Sequence, residues 1–281
     1  MFRRLLAPVL IVAALGACSK SEAPADTTAP AANAPAPVTP AADAAPAAAA
    51  TTAAATPATT ETPGASNPLA GTAAVDPNAP PPRPGTDFEA LQVPQPTFSA
   101  NDGRIEIAEV FSYMCIHCAE FQPAVDQYKP TLAADAKWVY VPAAFGGPWD
   151  QAARAYYSAE LLGLADRTHT AVFDAIFVKQ KVKTGSAEDF ADLYASLGAD
   201  RARFLATMSS FGVTAKLSRG KQFSMRTGVN ATPTIIINGK YKVMNTRDRG
   251  IKGMLDTVTW VIAQERAAAA AATAPVPVPA A

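Results

Sequence analysis

The chain has 281 residues, and its 24 basic and 24 acidic side chains give a formal net charge of zero. This balance excludes a long-range field that would favour nucleic acid or an anionic membrane surface as the main partner. Of the 25 prolines, 14 lie between residues 21 and 84, among runs of Ala and Thr without an aromatic residue. Such a composition buries too little apolar surface to fold, so we predict a disordered tether over residues 18–85.

The first twenty residues, MFRRLLAPVLIVAALGACSK, have the features of an export signal. Arg3 and Arg4 precede an apolar stretch of about a dozen residues, shorter than the roughly 20 needed to span a bilayer. The stretch ends in Leu-Gly-Ala-Cys18, which resembles the lipobox of bacterial lipoproteins. This resemblance implies a lipoprotein signal peptide over residues 1–17 and a lipid on Cys18 that anchors a periplasmic protein to the inner or outer membrane. The alternative is an ordinary secretory signal in which Cys18 is incidental.

With Cys18 assigned to lipid, two cysteines remain, and they form the motif Cys115-Ile116-His117-Cys118. A structural zinc site needs four ligands, and the domain reaches that number only with His117 inside the motif and His169 some fifty residues away, which disfavours zinc. Covalent haem attachment needs a histidine directly after the second cysteine, where this chain has Ala119. A structural disulfide across so short a loop would add little stability. We therefore predict a redox-active dithiol in an oxidising compartment, with no metal or other cofactor.

The dithiol is predicted to lie where a buried strand passes into a helix. Residues 104–113 are rich in apolar, β-branched and aromatic side chains, and residues 119–128 have helical spacing. Cys115 would then lie at the helix N-terminus, where unpaired N–H groups and the helix dipole stabilise a thiolate, as would His117. A stabilised thiolate is a better leaving group and makes the disulfide less stable, which favours a protein that passes its disulfide on.

A long helical stretch, residues 149–227, follows a second predicted strand over residues 137–143. In its clearest helix, Ser186 is the N-cap and Gly198 lies at the C-terminal cap. The aromatic side chains of this stretch predict a packed core rather than a cofactor site. His169, between two threonines, is predicted to be a capping or surface residue at a helix start.

A hairpin that turns at Asn238-Gly239 is predicted over residues 233–244, because this dipeptide is a strong turn signal. An amphipathic helix follows, with apolar side chains at helical spacing from Ile251 to Ile262. The folded unit is therefore predicted to span residues 86–266, a normal length for one domain. The Ala-, Pro- and Val-rich residues 267–281 are predicted to form a disordered tail.

A strand, a C-x-x-C motif, a helix and a late Thr-Pro before a hairpin resemble the thioredoxin fold. The chain more closely resembles the DsbA family of thiol:disulfide interchange proteins, through residues 109–118, 145–147 and 232–241. The resemblance implies an α/β, thioredoxin-like fold with an inserted all-helical domain at about residues 149–227. It also implies a lipid-anchored, periplasmic thiol-disulfide oxidoreductase.

The family resemblance implies a role for each residue of the motif. Cys115 would be the solvent-facing nucleophile that forms a mixed disulfide with a substrate thiol, and Cys118 would be the more buried thiol that resolves it. Glu109 would be a buried acid that helps to deprotonate Cys118. Ile116 and His117 would tune the site, and Ile116 stands where enteric members of the family have Pro.

Four further residues are assigned to substrate binding by the same resemblance. Thr232 and Pro233 would form a cis peptide bond that faces Cys115 and would leave the backbone before the proline free to pair with an extended peptide. Thr232 stands where enteric members have Val. Phe145 and Gly146 would belong to a loop that borders the groove beside the dithiol.

The resemblance further implies a monomer whose substrates are unfolded or reduced exported proteins. A DsbB-like, quinone-linked membrane oxidase would reoxidise it, and no nucleic acid would take part. Two alternatives stay open. The same fold could act as a thiol reductant or disulfide isomerase, or the protein could be a non-catalytic, peptide-binding envelope lipoprotein with an inert disulfide.

Overall fold

A computed structural model of the protein describes residues 79–273. The predicted signal peptide, Cys18, most of the predicted tether and residues 274–281 lie outside the described residues. Within residues 79–273, no helix combines the length and the apolar character that crossing a bilayer requires.

A five-stranded mixed sheet forms the centre of the fold, with strand order β1-β5-β4-β2-β3. Its two longest strands, β2 and β3, run parallel, and β4 is antiparallel to both β2 and β5. The short first strand pairs antiparallel with β5 and, like β3, lies at an edge. The strands are β1 (Phe88–Ala90), β2 (Ile105–Phe111), β3 (Ala136–Pro142), β4 (Thr234–Ile237) and β5 (Tyr241–Met244).

Five of the helices in the described residues lie in sequence between β3 and β4, which confirms the predicted helical insertion into a thioredoxin-like α/β fold. A 3₁₀ turn follows α1, and a short π-helical segment continues α3. The helices are α1 (Ile116–Tyr128), α2 (Pro148–Leu161), α3 (Ala165–Phe173), α4 (Ala187–Ser196), α5 (Arg201–Met208), α6 (Phe211–Arg226) and α7 (Gly250–Thr273).

Local sequence signals explain the best-predicted elements. The Ser186 hydroxyl accepts a hydrogen bond from the Asp189 amide at 3.2 Å and so caps the N-terminus of α4. The hairpin between β4 and β5 turns at Asn238 and Gly239, whose φ angles are +50° and +63°. A Cβ atom at Gly239 would collide with the carbonyl of Gln95, so glycine is required at this turn.

Apolar side chains pack on both faces of the sheet. On one face, α1 and α7 cover Ile107, Ile235 and Ile237, and on the other α6 packs Phe223 against the sheet. A separate core lies within the helical insertion and reaches the motif that follows β2, through Phe111, Tyr113, Cys115, Cys118, Tyr157, Phe190, Tyr194 and Phe204. The dithiol is therefore supported by both the sheet and the insertion.

The prediction that the chain is disordered from Ala267 is wrong for residues 267–273. The last helix, α7, continues without interruption to Thr273. Alanine has the highest intrinsic helix propensity, and extending an existing helix avoids the cost of nucleation. The Ala-rich run therefore prolongs the helix that the preceding amphipathic segment begins.

The last residues of the predicted tether also contact the folded unit. Arg249 donates hydrogen bonds to the carbonyls of Pro80 and Pro81, and Arg83 forms an ion pair with the buried Asp87 at 2.8 Å. The Arg83 guanidinium holds the pKa of Asp87 well below its usual range. The boundary predicted at residue 85 therefore lies several residues too late.

His169 is a core residue, contrary to the prediction of a capping or surface position. It lies inside α3, where only 5% of its surface is exposed, and its Nδ1 is 2.9 Å from the Tyr113 hydroxyl. Burial lowers its pKa to about 3, so the ring is neutral at physiological pH. The two flanking threonines suggested a polar position, whereas His169 belongs to the buried face of α3 together with Ala165, Val172 and Phe173.

Candidate active site

The two cysteines lie at the start of α1, directly after the loop that follows β2. Cys115 is the N-cap residue, with an extended backbone, and Cys118 lies in the first turn of the helix. Both are free thiols. Cys118 is fully buried, whereas Cys115 keeps 7% of its surface exposed. Of the two sulfurs, Cys115 is therefore the one that a second molecule can reach.

The surroundings of Cys115 stabilise its thiolate. The backbone N–H of Cys118 donates to its Sγ at 3.3 Å. In its protonated form, the Cys115 thiol donates to the carbonyl oxygen of Thr232 at 3.5 Å. The pKa of Cys115 falls from 9.0 to about 6. The main cause is a hydrogen bond from the Cys118 thiol, with contributions from the Thr232 side chain and from the N–H groups of Cys118 and His117, while burial opposes them.

The pKa of Cys118 is shifted in the opposite direction. Burial raises its pKa far above the ordinary value of 9.0, and the hydrogen bond to Cys115 and the charges of Cys115 and Glu109 act in the same direction. The reduced site therefore holds one thiolate, on Cys115, and one thiol, on Cys118. This asymmetry is what ordered exchange through two sulfurs requires.

Glu109 lies on β2 below the dithiol and is 1% exposed. The indole N–H of Trp138 on β3 donates to its Oε2 at 3.2 Å. Burial raises the pKa of Glu109 from 4.5 to about 8, while the Trp138 hydrogen bond and the positive charge of Lys129 oppose this rise. Near neutral pH this carboxyl group can therefore both accept and release a proton.

The two residues between the cysteines are exposed. The Ile116 side chain is 45% exposed, and His117 Nδ1 lies 3.0 Å from Glu120 Oε2 one turn along α1. The pKa of His117 is raised, mainly by Glu120 and to a smaller extent by Cys115. The histidine therefore favours its charged form beside the Cys115 thiolate.

The Thr232–Pro233 peptide bond is cis, as the family resemblance implies. It precedes β4, whose first residue, Thr234, pairs with Val110 on β2. Because β2 also leads into Cys115, this register brings the cis proline to the dithiol, consistent with the contact between the Thr232 carbonyl and Cys115.

Phe145 and Gly146 follow β3 at the same end of the sheet as the dithiol, because β2 and β3 are parallel. Phe145 is 47% exposed and stacks on Trp149, with ring centroids 5.3 Å apart. Gly146 has φ +99°, and its N–H donates to Asp150 at 2.9 Å. In the described residues, no hydrogen bond or ring contact joins this loop to either cysteine.

Two contributors to the site were not predicted from the sequence. Trp138 supplies the hydrogen bond to Glu109, and Tyr113 connects the loop before Cys115 to His169 in the helical insertion. The parallel register of β2 and β3 explains the first contact, since it places Glu109 opposite Tyr140. Trp138 lies two residues before Tyr140 on β3, so its side chain is on the same face of the sheet as Glu109. Among residues 79–273, no three His, Cys, Asp or Glu side chains are grouped so that they could hold a metal ion.

Comparison with known proteins shows which class of protein has this fold and this pair of cysteines. A family model described as Thioredoxin matches residues 96–257. The fold and the paired thiols are those of a thiol-disulfide oxidoreductase. The DsbA of Pseudomonas aeruginosa PAO1, a thiol:disulfide interchange protein, is 34% identical over 185 residues, which cover 66% of this chain and 86% of that protein. The chain belongs to the DsbA family of thiol:disulfide interchange proteins.

Other relatives agree with this assignment. The DsbA of Pseudomonas syringae pv. tomato is 36% identical over 167 residues, covering 59% of this chain and 78% of the relative. The crystal structure of the oxidoreductase DsbA from Xylella fastidiosa superposes with a TM-score of 0.62 at 34% identity, covering 66% of this chain and 98% of that chain. The predicted family, fold and enzyme class are confirmed.

Proposed function

We propose that this oxidoreductase is a disulfide donor that passes a Cys115–Cys118 disulfide to reduced exported proteins in the periplasm. The observation that carries the proposal is the position of Cys115 at the N-cap of α1, where the Cys118 N–H donates to its sulfur, beside a fully buried Cys118. This arrangement lowers the pKa of Cys115 and raises that of Cys118. A sulfur that is stable as a thiolate is a good leaving group, so a disulfide that contains it is readily given away.

The exchange proceeds in two displacement steps. A substrate thiolate attacks Sγ of Cys115, the Cys115–Cys118 bond breaks, and Cys118 leaves with the electron pair and takes up a proton. A second substrate thiolate then attacks the substrate sulfur of the mixed disulfide and expels the Cys115 thiolate. The substrate is oxidised by two electrons to a disulfide, and the protein is left as the dithiol.

Glu109 serves the first step and its reverse. Its carboxyl group is buried and its charge acts on Cys118, and its pKa of about 8 lets it hold a proton near neutral pH. It donates this proton when Cys118 leaves, and it accepts the proton when Cys118 must attack during reoxidation or resolution. Glu109 acts on the buried sulfur, while His117 lies on the exposed side next to Cys115.

The substrate chain lies across the exposed surface around Cys115. Thr232 and Pro233 present the backbone that pairs with an extended peptide, and the exposed side chains of Ile116 and Phe145 offer apolar contacts. Gly146 keeps the loop after β3 free of a side chain at this border. These contacts use backbone and apolar surface, which suits unfolded substrates of many sequences.

The lowered pKa of Cys115 favours transfer of the disulfide to a substrate. Relative to a thiol with a pKa of 9.0, a thiol with a pKa of about 6 stabilises the reduced protein at pH 7 by about 1.4 kcal/mol. For a two-electron couple, this makes the site more oxidising by roughly 30 mV. Burial of Cys118 and the charge on His117 change the reduction potential of the site further.

In this proposal the protein is anchored to a membrane, and a membrane enzyme reoxidises its dithiol. The N-terminal sequence supports export, cleavage before Cys18 and lipid attachment at that cysteine. A DsbB-like, quinone-linked membrane oxidase then returns the dithiol to the disulfide. Replacing Cys18 with Ser tests the anchor: the variant should leave the membrane fraction and lose labelling by a radioactive fatty acid, and unchanged labelling would refute lipidation.

Oxidation of a reduced two-cysteine peptide by the oxidised protein tests the function. We expect stoichiometric formation of the peptide disulfide and no transfer by Cys115→Ser. Cys118→Ser has no disulfide to give, but its Cys115 thiolate should attack a one-cysteine peptide that is activated as its thionitrobenzoate disulfide and expel thionitrobenzoate. The mixed disulfide should then stay trapped, because no Cys118 thiol can resolve it. A protein that oxidises no peptide but reduces peptide disulfides would be a reductant or isomerase. An unreactive Cys115 would leave only the peptide-binding lipoprotein.

A further inference from the structure

The outer edge of β3 has unpaired backbone groups. β3 is an edge strand, and the amide of Ala143 just beyond it donates to the carbonyl of Phe111 on β2 at 2.6 Å. In a parallel ladder, alternate residues direct their N–H and C=O groups to the same side. Trp138 and Tyr140 therefore direct theirs away from β2, and no other strand of the described chain pairs with this edge.

A groove runs along this edge. Its volume is about 460 Å³, and it lies between β3, the segment around Phe98, the end of α2 and the exposed side of α6. Aromatic rings form much of its walls, among them those of Phe98, Trp138, Tyr140 and Tyr157. The groove therefore combines open strand backbone with apolar walls on either side.

The basic side chains of the groove are held over its aromatic rings. Lys129 Nζ lies 4.7 Å from the centroid of the Tyr140 ring, and the Arg219 guanidinium lies 4.8 Å from that of Phe98. Arg219 also donates to the carbonyl of Phe98. Held in this way, the cations lie along the walls and leave the strand edge open.

The lining of the groove carries more positive than negative charge. Lys129, Lys216 and Arg219 face two acidic residues, Glu160 and Asp166. Lys216 forms an ion pair with Glu160 at 3.0 Å, which neutralises one charge of each sign. Two cations and one carboxylate remain, so the groove favours a ligand with acidic groups.

We propose that this groove binds an extended, acidic segment of a partner polypeptide, which adds as a strand to the outer edge of β3. Backbone hydrogen bonds to Trp138 and Tyr140 would supply affinity, as in other cases of strand addition. Apolar side chains of the segment would pack on the aromatic walls, and its carboxylates would meet Lys129 and Arg219. Neither cysteine lines the groove.

Amide hydrogen exchange in the full-length protein tests this proposal. The probe is an end-blocked octapeptide of alternating Glu and Val. At saturating peptide, exchange of the Trp138 and Tyr140 amides should slow at least tenfold. The amides of Val139 and Val141 should not change, because they already donate to β2.

Two controls separate strand addition from general charge attraction. A peptide N-methylated at alternate residues keeps the side chains but loses the strand hydrogen bonds, so it should give no protection. Arg219→Glu should weaken binding at least fivefold, whereas Lys183→Glu, an exposed cation outside the groove, should change it less than twofold.

Several results would overturn the proposal: no protection at millimolar peptide, equal protection by the methylated peptide, or equal effects of the two charge reversals. It would also be overturned if Trp138 and Tyr140 were already protected in the full-length chain and lost protection when residues 1–78 were deleted. In that case a segment of the chain itself, and not a partner, would occupy the groove.

Discussion

Replacing Cys118 with Ala should raise the pKa of Cys115. The Cys118 thiol is the main cause of the low pKa of Cys115, and alanine removes this hydrogen-bond donor. The backbone N–H of residue 118, which lies 3.3 Å from Cys115 Sγ, remains in the variant, as does the helix N-terminus. The pKa of Cys115 should therefore rise without reaching the 9.0 of an ordinary thiol.

The size of this rise follows from the strength of one hydrogen bond to a charged group. Such a bond contributes about 1.5–3 kcal/mol. One pKa unit corresponds to about 1.36 kcal/mol, so the pKa of Cys115 should increase by roughly 1–2 units. At pH 7 the thiolate fraction should then fall from about nine-tenths to between a half and a tenth.

The ultraviolet absorbance of the thiolate near 240 nm, followed from pH 3 to 10, measures this change. Both variants are made with Cys18→Ser, so that Cys115 is their only thiol. Cys118→Ser is the matched control, because its hydroxyl keeps a donor at the same position. Its pKa should lie well below that of Cys118→Ala. Equal values for the two variants would refute the assignment of the low pKa to this hydrogen bond.

Three further predictions concern the surroundings of the site and the insertion. The pKa of Glu109 is raised from 4.5 to about 8. Its ionisation therefore does not reduce the free energy of unfolding below pH 4.5, and reduces it increasingly as the pH rises to 8. Glu109→Gln should therefore increase the free energy of unfolding in urea by up to about 3 kcal/mol at pH 7, and equal gains at pH 4 and pH 7 would contradict this. Glu120→Gln should lower the pKa of His117, measured by NMR, because Glu120 is the main cause of its rise; an unchanged pKa would refute this cause. A Cβ at Gly220 would lie 2.5 Å from the Tyr157 hydroxyl, so Gly220→Ala should destabilise the fold by about 1–3 kcal/mol. Tyr157→Phe should restore most of that loss, and an additive double variant would show that the clash is not the cause.

Elements with strong local signals could be predicted from the sequence. The apolar strand before Cys115, the Ser186 cap of α4 and the Asn238-Gly239 turn each depend on residues within a few positions of one another. The motif residues also identified the dithiol. Its place at a helix N-terminus followed from the apolar strand predicted before it and the helical spacing predicted after it.

The remaining features depend on contacts between distant parts of the chain. The polar neighbours of His169 favour a capping or surface position, and only the packing of α3 against Tyr113 and Phe111 makes it a core residue. The hydrogen bond from Trp138 to Glu109 depends on the register of two parallel strands. The end of α7 does not follow from composition alone, because an alanine run is compatible with both disorder and helix. The helix that precedes the run favours the helical form.

The redox equilibrium of the dithiol with a glutathione buffer tests the central claim most directly. The full-length protein would be incubated at a series of glutathione ratios, and its reduced fraction would be measured by thiol alkylation. A disulfide donor should have a midpoint above about −180 mV, the value of protein disulfide isomerase. A midpoint near the −270 mV or so of thioredoxin would contradict the account and identify a reductant.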